Sequence, residues 1–238
     1  MTNNDCFLFL GKSILTLYQV NIYQSFALPD NVHATVKDLW FNSIVDRYSG
    51  LNRRCHNLND LNNCLQHFES VKTFVKNPNA IVLALIFRYF EYDPRLADCS
   101  EININNFKKF IDESKLSTDS TLCDDVIALL KVASTNSTDE HKTEGCYGFD
   151  DKHYFLDIDM VILGMGPSDY DKYTNYVREE YDFIDDKTYK ELRVKVLESF
   201  LQIPNIYATK IFRDKYELIA RNNIQREINS HKSTTESN

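Results

Sequence analysis

Two carboxylates in an apolar segment and an arginine in an apolar helix are the residues of this sequence best suited to chemistry. Asp157 and Asp159 stand in a segment whose other residues are mostly apolar. Burying a carboxylate without a partner is costly, so at least one of the two is expected to meet a cation. Arg88 is the predicted cation, pairing with Asp159 or with Glu91 one turn further along its own helix.

The same arginine suits a second kind of chemistry. A guanidinium fork matches the oxygens of a phosphate, so Arg88 is also a candidate anion-binding residue. The neighbouring Tyr89 is expected to fill the core. Four histidines have no ligand-like spacing and are predicted to be surface residues: His33, His67, His153 and His231.

The cysteines indicate a reduced, cytoplasmic protein. The chain has 6 cysteines, and none are spaced as Cys-x-x-Cys, which excludes a zinc ribbon or a thioredoxin-type motif. The first residues lack the basic start of a signal peptide, and no apolar run is long enough to span a bilayer. The thiols are therefore expected to be reduced and mostly buried, and no membrane partner is predicted.

Composition and charge exclude several classes of protein. The 238 residues are 43% hydrophobic and 26% charged, which is typical of a globular chain and not of a disordered or fibrous one. With 27 basic and 35 acidic side chains the formal charge is −8, so general nucleic-acid binding is not expected, although a local anion pocket is compatible with it. Only 6 Gly and 5 Pro disfavour a many-stranded β-sandwich.

Helical periodicity then gives the elements that must position these residues. Residues 1–30 are predicted to be an N-terminal extension. Thr35 and Asn57 are candidate N-caps of two amphipathic helices, and Pro78 is expected to open a helix that is apolar on nearly every side and therefore central. Weaker helices are predicted at 102–114 and 119–133.

The second half of the chain is also predicted to be helical. A polar, flexible loop over 134–152 contains His141, and helices are expected at 153–164, 168–182, 187–201 and from the QIPN turn to about 228. The tail, 229–238, is predicted to be disordered. We therefore expect an all-α protein with one helical domain over 31–228.

Several segments of the chain occur in a recognisable order. They are Trp40, Tyr48, Arg54-Cys55-His56-Asn57-Leu58, LALIFRYFEYDP, FLDIDMVILG, YTNYVREEY and ARNNIQREI. Together they resemble a family of predicted metal-dependent phosphohydrolases in the HD superfamily, over about residues 36–228. The resemblance implies a helical HD-domain bundle and a divalent cation bound by a His, an adjacent His-Asp pair and a distant Asp.

Carried over residue by residue, the resemblance gives a partial ligand set. His56 matches the first histidine, and Asp60 stands where the family has a second histidine. The distant aspartate is Asp159 by the better fit, or Asp157. If the alignment with the family is shifted by three residues, His141 becomes the histidine of the family's Thr-x-x-His element. The unshifted alignment places Thr138 at that histidine position. Arg178 and Arg221 resemble family positions and are expected to brace helix ends through hydrogen bonds.

The family's His-Asp pair aligns with Arg88-Tyr89, and this is the main difference between this sequence and the family's ligand pattern. A permanent cation at that position opposes a divalent ion. Three functions follow as hypotheses. The first is a catalytically impaired HD-like protein, or pseudoenzyme, that acts by binding a nucleotide-like anion or a protein partner. The second is an active metal-dependent phosphohydrolase with a rearranged site of His56, Asp60, Asp159 and His141, and the third is a structural module without a ligand.

Overall fold

The computed structural model describes residues 34–96, 98–116 and 120–235, and within these ranges it contains helices and no strand, which confirms the predicted all-α class. The predicted extension over 1–30 and His33 lie outside the described residues. The helices are α1 Ala34–Tyr48, α2 Leu58–Val71, α3 Pro78–Arg88, α4 Ser100–Glu113, α5 Ser120–Ala133, α6 Asp139–Lys142, α7 Asp151–Asp159, α8 Pro167–Glu180, α9 Asp186–Gln202 and α10 Lys210–Thr235. Short 3-10 turns span Lys72–Phe74 and Val161–Gly164.

The chain divides into two compact units. The first comprises Met1–Thr73 and Asn77–Lys131, so that its described part holds α1 to α4 and most of α5. The second comprises Phe74–Lys76 and Val132–Asn238, and its described part holds α6 to α10. The candidate residues His56, Asp60 and Arg88 therefore belong to the first unit, whereas His141, Asp157 and Asp159 belong to the second.

Helix α3 is the core of the first unit. Asn77 caps it by accepting from the backbone N–H of Ala80 at 3.2 Å, and Pro78 occupies the first turn, where it costs no hydrogen bond. All eight residues from Ala80 to Phe87 are buried. A helix buried on every side needs apolar residues on every side, so the prediction of a central helix is confirmed.

Aromatic rings fill the space around the end of α3. The ring centroid of Phe87 lies 5.4 Å from those of Phe107 and Phe110 and 6.0 Å from that of Trp40. Such tilted and edge-on contacts stabilise a core beyond the burial of apolar area alone. The Trp40 indole N–H donates to Glu113 at 2.9 Å, so the only tryptophan of the chain joins α1 to α4 in this unit.

The long helix α10 organises the second unit. It buries Phe212, Tyr216, Ala220 and Ile224 at four-residue intervals, which places them along one face. The helix continues to Thr235, well past the predicted end at about 228, and so includes most residues of the segment predicted to be a disordered tail. Helix α1 likewise begins at Ala34, which places Thr35 inside the helix and not at the predicted cap.

A buried ion pair joins α9 to α10. Nε of Arg193 donates to Glu227 at 2.8 Å, and the two side chains are only 11% and 6% exposed. The hydroxyl of Tyr170 on α8 donates to the same carboxylate at 2.5 Å, and His231 lies 3.4 Å from it. Burial acts to raise the pKa of Glu227, but hydrogen bonds to His231 and Arg193 prevail and lower it to about 2.

The segment between α9 and α10 is held along most of its backbone by side chains. Residues 205–209 are buried although they are not helical. The Glu217 carboxylate accepts from the backbone N–H groups of Ile206 and Tyr207 at 3.0 and 3.2 Å. Arg213 donates to the carbonyls of Tyr207 and Ala208 at 3.1 Å each. Buried backbone polar groups must be paired, and here side chains pair them.

Two predicted braces of helix ends are confirmed. Arg178 donates to the carbonyls of Tyr181 and Ile184 just beyond α8, at 2.8 and 3.1 Å. Arg221 donates to the carbonyls of residues 201, 203 and 204 at the end of α9. The carbonyls at a helix end and in the turn that follows it have no partner within the helix, and these two arginines supply donors for them.

Gly164 allows the 3-10 turn Val161–Gly164 to pack directly against α10. A β-carbon at Gly164 would lie 2.5 Å from Cβ of Tyr216 and 2.8 Å from the hydroxyl of Tyr207. We expect Gly164→Ala to lower the free energy of unfolding by about 1–3 kcal/mol, because neither neighbour can move without disturbing the core. Urea unfolding followed by far-UV circular dichroism measures the loss.

Gly166→Ala is the matched control for that substitution. Nothing lies within 4 Å of a β-carbon at Gly166. Its φ of −56° is one that alanine adopts without strain. A loss of stability as large in Gly166→Ala as in Gly164→Ala would show that close packing is not the cause.

The described cysteines are Cys55, Cys64, Cys99, Cys123 and Cys146, and none of them is in a disulfide. Only Cys55 is buried, while Cys146 is exposed and the other three are half-buried. The expectation of mostly buried thiols is therefore wrong for these residues. Among the described helices none combines the length and the apolar character that crossing a membrane requires.

Candidate functional site

In the first unit, the chain leaves α3 through a backbone segment that is held by hydrogen bonds from three other parts of the unit. Arg53 donates to the carbonyls of Tyr89 and Phe90 at 2.5 and 2.8 Å, and Tyr48 donates to the carbonyl of Ile86 at 2.8 Å. Burial raises the pKa of the Tyr48 phenol, which therefore stays a neutral donor. The Arg88-Tyr89 position is thereby fixed from one side.

Asn103 on α4 holds the same segment from the other side. Its side-chain nitrogen donates to the carbonyls of Arg88 and Glu91 at 2.9 and 3.0 Å, and its oxygen accepts from the N–H of Glu91 at 2.7 Å. Asn103 is buried. An amide that satisfies three backbone groups of one turn fixes the conformation of that turn.

Four half-buried side chains project from this region, and we call them the α3 corner: His56, Arg88, Tyr89 and Tyr92. The His56 ring centroid lies 4.4 Å from that of Tyr89 and 4.1 Å from that of Tyr92. The guanidinium of Arg88 lies over the Tyr89 ring, 4.7 Å from its centroid. The corner is therefore a cluster of three rings with a cation at its edge.

His56 owes its place to the start of α2. Asn57 caps that helix by accepting from the N–H groups of Asn59 and Asp60 at 2.9 and 3.2 Å, as predicted for this residue. Nδ1 of His56 lies 3.3 Å from Sγ of Cys55. A thiolate and an imidazole are two of the ligands that zinc-type cations take, so the sequence prediction of His56 as a ligand overlooked Cys55 beside it. Asp60 lies half-buried in the first turn of α2.

The charges around the corner are mixed. Glu91, one of the two predicted partners of Arg88, forms an ion pair with Arg47 at 2.5 Å. The pKa of Asp98 is lowered, first by hydrogen bonds from the hydroxyl and N–H of Ser100, with the charge of Arg88 adding to the effect. Arg88 thus lies near an ionised carboxylate on the chain segment that leads into α4.

In the second unit, Asp157 and not Asp159 is the fully buried carboxylate. Asp157 is 0% exposed, whereas Asp159 is half-buried. The Asp157 carboxylate accepts from the N–H groups of Ala208 and Thr209 at 2.7 and 2.8 Å, and from the Thr209 hydroxyl at 2.6 Å. Neutral donors at the start of α10 therefore bind the buried Asp157 carboxylate, whereas the sequence predicted a cation beside at least one of the two aspartates.

His141 is buried beside Asp157. It is 1% exposed, which contradicts its predicted place in a flexible loop. Its Nδ1 accepts from the N–H of Thr138 at 2.9 Å, and its Nε2 lies 3.9 Å from Oδ1 of Asp157. Burial lowers the pKa of His141 to about 4 and raises that of Asp157 to about 7, although hydrogen bonds from Thr209 and Ala208 act against the latter shift.

His153 has the same arrangement as His141 and was missed as a buried residue. It is 1% exposed, so the prediction of a surface position is wrong. Its Nδ1 accepts from the N–H of Asp150 at 3.0 Å, and its Nε2 lies 2.9 Å from the carboxylate of Glu140. A hydrogen bond from the Thr138 hydroxyl is the main cause that lowers the pKa of Glu140 to about 2.

Both histidines thus complete a capping box, a signal that the sequence contains. Thr138 precedes His141 by three residues, and Asp150 precedes His153 by three. In each pair Nδ1 of the histidine accepts a hydrogen bond from the N–H of the N-cap residue, the role that Glu or Gln usually has. The Thr-x-x-His spacing, attributed above to a metal site, is here used to begin the short helix α6.

His141 and Asp157 do not fit a divalent cation in this arrangement. Nδ1 of His141 is occupied by the Thr138 N–H, and the two Asp157 oxygens already accept three hydrogen bonds. A cation of this kind takes at least four ligands, and a ligand must present a lone pair to it. His141 and Asp157 are brought together, but their arrangement anchors α10 and α6.

Comparison of the chain with protein-family models, with curated proteins and with solved structures found no match in any of the three.

Proposed function

We propose that this protein is an HD-like helical protein that binds a nucleotide-like anion at the α3 corner and does not hydrolyse it with a metal ion. The observation that carries the proposal is the half-buried guanidinium of Arg88, held at the end of the rigid helix α3 and beside an aromatic ring. A guanidinium presents two parallel N–H donors that fit two phosphate oxygens.

The backbone under the corner supports the proposal. Tyr48, Arg53 and Asn103 fix the turn that carries Arg88 and Tyr89, so little ordering is needed when a ligand arrives. Sites on such pre-organised elements avoid part of the entropic cost of binding.

The identity of these residues argues against metal-dependent hydrolysis. Arg88 and Tyr89 stand where the resemblance implies a His-Asp ligand pair. The repulsion between a positive unit charge and a divalent cation 4 Å away is about 8 kcal/mol at an effective dielectric constant of 20. Without that pair, the residues that would hold a water-activating cation are missing at this position.

Nucleotide binding to an Arg88 variant tests the proposal. Isothermal titration calorimetry with nucleoside mono- and triphosphates in EDTA is expected to show binding to the native protein. Arg88→Leu is expected to weaken that binding about 10–100-fold, because it removes a charge-assisted pair of hydrogen bonds. Arg88→Lys keeps the positive charge but lacks the paired N–H donors of a guanidinium. Its affinity for nucleotide is expected to lie between those of the native protein and Arg88→Leu.

Lys109→Leu is the control, since it removes one exposed positive charge from the same unit. Equal weakening by Lys109→Leu would assign the effect to net charge. Two results would contradict the proposal outright: no binding at millimolar nucleotide, or turnover of a phosphate ester that stops with a chelator and with His56→Asn. Elemental analysis of the purified protein for transition metals accompanies the turnover assay.

A further inference from the structure

A thiol and an imidazole are in contact just before the start of α2. Sγ of Cys55 lies 3.3 Å from Nδ1 of His56, the next residue along the chain. When the imidazole carries its proton on Nε2, Nδ1 presents a lone pair and accepts the thiol hydrogen. A nucleophile and a base within hydrogen-bond reach are the two groups that nucleophilic chemistry at sulfur requires.

The imidazole of His56 is held in this position by its neighbours. Its ring contacts the rings of Tyr89 and Tyr92, with centroids 4.4 and 4.1 Å away. Arg53 donates to the backbone carbonyl of His56 at 3.3 Å. A base is effective only while it stays within reach of the proton that it takes, and these three contacts keep Nδ1 beside the sulfur.

The surroundings of the sulfur select small reagents and favour negative charge. Cys55 is 9% exposed, so a small reagent reaches its sulfur more readily than a bulky one. Cys55 also stands two residues before Asn57, the N-cap of α2, and the N-terminus of a helix favours negative charge nearby. Hydrogen peroxide is a small reagent of the required kind, because its reaction with a thiolate needs only a proton donor in addition.

We infer that Cys55 is a peroxide-reactive thiol for which His56 acts as the base. Nδ1 takes the thiol proton and the sulfur attacks one oxygen of hydrogen peroxide, so that an S–O bond forms while the O–O bond breaks. The other oxygen leaves as water after it receives the proton from the imidazolium. The sulfur is thereby oxidised to a sulfenic acid and the peroxide is reduced. This reaction goes beyond the proposed function, because it needs no anion at Arg88.

Oxidation of the full chain by hydrogen peroxide in EDTA tests the inference. Catalase stops the reaction, the protein is unfolded and alkylated, and mass spectrometry of its peptides measures the thiol lost at each cysteine. Exposed Cys146 gives the rate of an accessible thiol. We expect Cys55 to be oxidised at least about 10-fold faster than Cys146, because general-base catalysis outweighs the difference in access. Dithiothreitol is expected to restore the Cys55 thiol, since a sulfenic acid is reducible.

His56→Asn is expected to slow the oxidation of Cys55 at least about 10-fold and to leave that of Cys146 unchanged. His67→Asn, on α2 in the same unit, is the control and is expected to change neither rate. Circular dichroism of each variant establishes that it is folded. The inference would be overturned if Cys55 in the native protein reacted no faster than Cys146, or if folded His56→Asn kept the native rate at Cys55. The first comparison needs no variant, so it decides even where substitution of His56 prevents folding.

Discussion

Replacement of Arg193 with leucine is expected to lower the free energy of unfolding by about 3–5 kcal/mol, because it leaves the buried carboxylate of Glu227 without its cation. Two nitrogens of Arg193 donate to this carboxylate, at 2.8 and 3.2 Å. The hydroxyl of Tyr170 and the ring of His231 remain beside the carboxylate, but the hydroxyl carries no charge and the histidine carries one only when it is protonated. Urea unfolding followed by far-UV circular dichroism measures the change.

The double variant Arg193→Met, Glu227→Met is the control that isolates the stranded charge. Removing both members of a buried ion pair is often nearly neutral, because the cost of keeping two charges away from water disappears with them. We therefore expect the double variant to be more stable than Arg193→Leu. If the two variants were equally unstable, loss of packing and not loss of charge balance would explain the effect.

The stabilisation by this pair is expected to depend on pH. The pKa of Glu227 is about 2 in the folded protein, against an ordinary value of 4.5. Because the folded pKa is the lower one, the stabilisation is complete above about pH 4.5 and is lost as the pH falls towards 2. The difference between the native protein and Arg193→Leu is therefore expected to shrink when unfolding is measured from pH 7 down to pH 3. A difference that stayed constant would argue against the pairing.

The second large effect is expected for Asp157→Asn, with a loss of about 2–4 kcal/mol measured at pH 8. The carboxylate accepts two backbone N–H groups and one hydroxyl at the start of α10. An asparagine turns an N–H group towards at least one of these donors and leaves it buried without an acceptor. Burial raises the pKa of Asp157 to about 7, so ionisation of this carboxyl lowers the stability of the native protein as the pH rises towards 7, and the loss caused by Asp157→Asn is expected to be larger at pH 6 than at pH 8.

Asp159→Asn is the matched control, two residues further on and half-buried. We expect it to cost less than about 1 kcal/mol, because its side chain is partly hydrated. A larger loss in Asp159→Asn than in Asp157→Asn would contradict the structural role assigned to Asp157.

Local signals in the sequence predicted much of the fold. Asn57 before an amphipathic stripe and Pro78 before an apolar run each mark a helix start that depends only on nearby residues, and both are confirmed. The roles of Arg178 and Arg221 at helix ends were also predicted, but from the resemblance to family positions and not from a local pattern. The class of the fold follows from the local signals.

The site could be predicted less well, because its geometry depends on distant residues. Asp157 is the buried aspartate because Ala208 and Thr209, about fifty positions later, bring their N–H groups to it. His153 is buried because Gly148 leaves it room, since a β-carbon there would lie 2.3 Å from its ring. The contact of the tilted His56 and Tyr92 rings likewise joins a residue just before α2 to one that follows α3, and no local pattern indicates it.

The linker over 203–209 has a practical consequence for engineering this protein. Connections between helices are usually the safest places to insert an epitope tag, a fluorescent protein or new chain ends. This linker is an exception, because Asp157 and Glu217 accept from four of its backbone N–H groups. Any added residue would pull those amides out of register with acceptors that cannot follow. A fusion partner belongs elsewhere, for instance near the exposed Gly145, where a β-carbon would meet nothing within 4 Å.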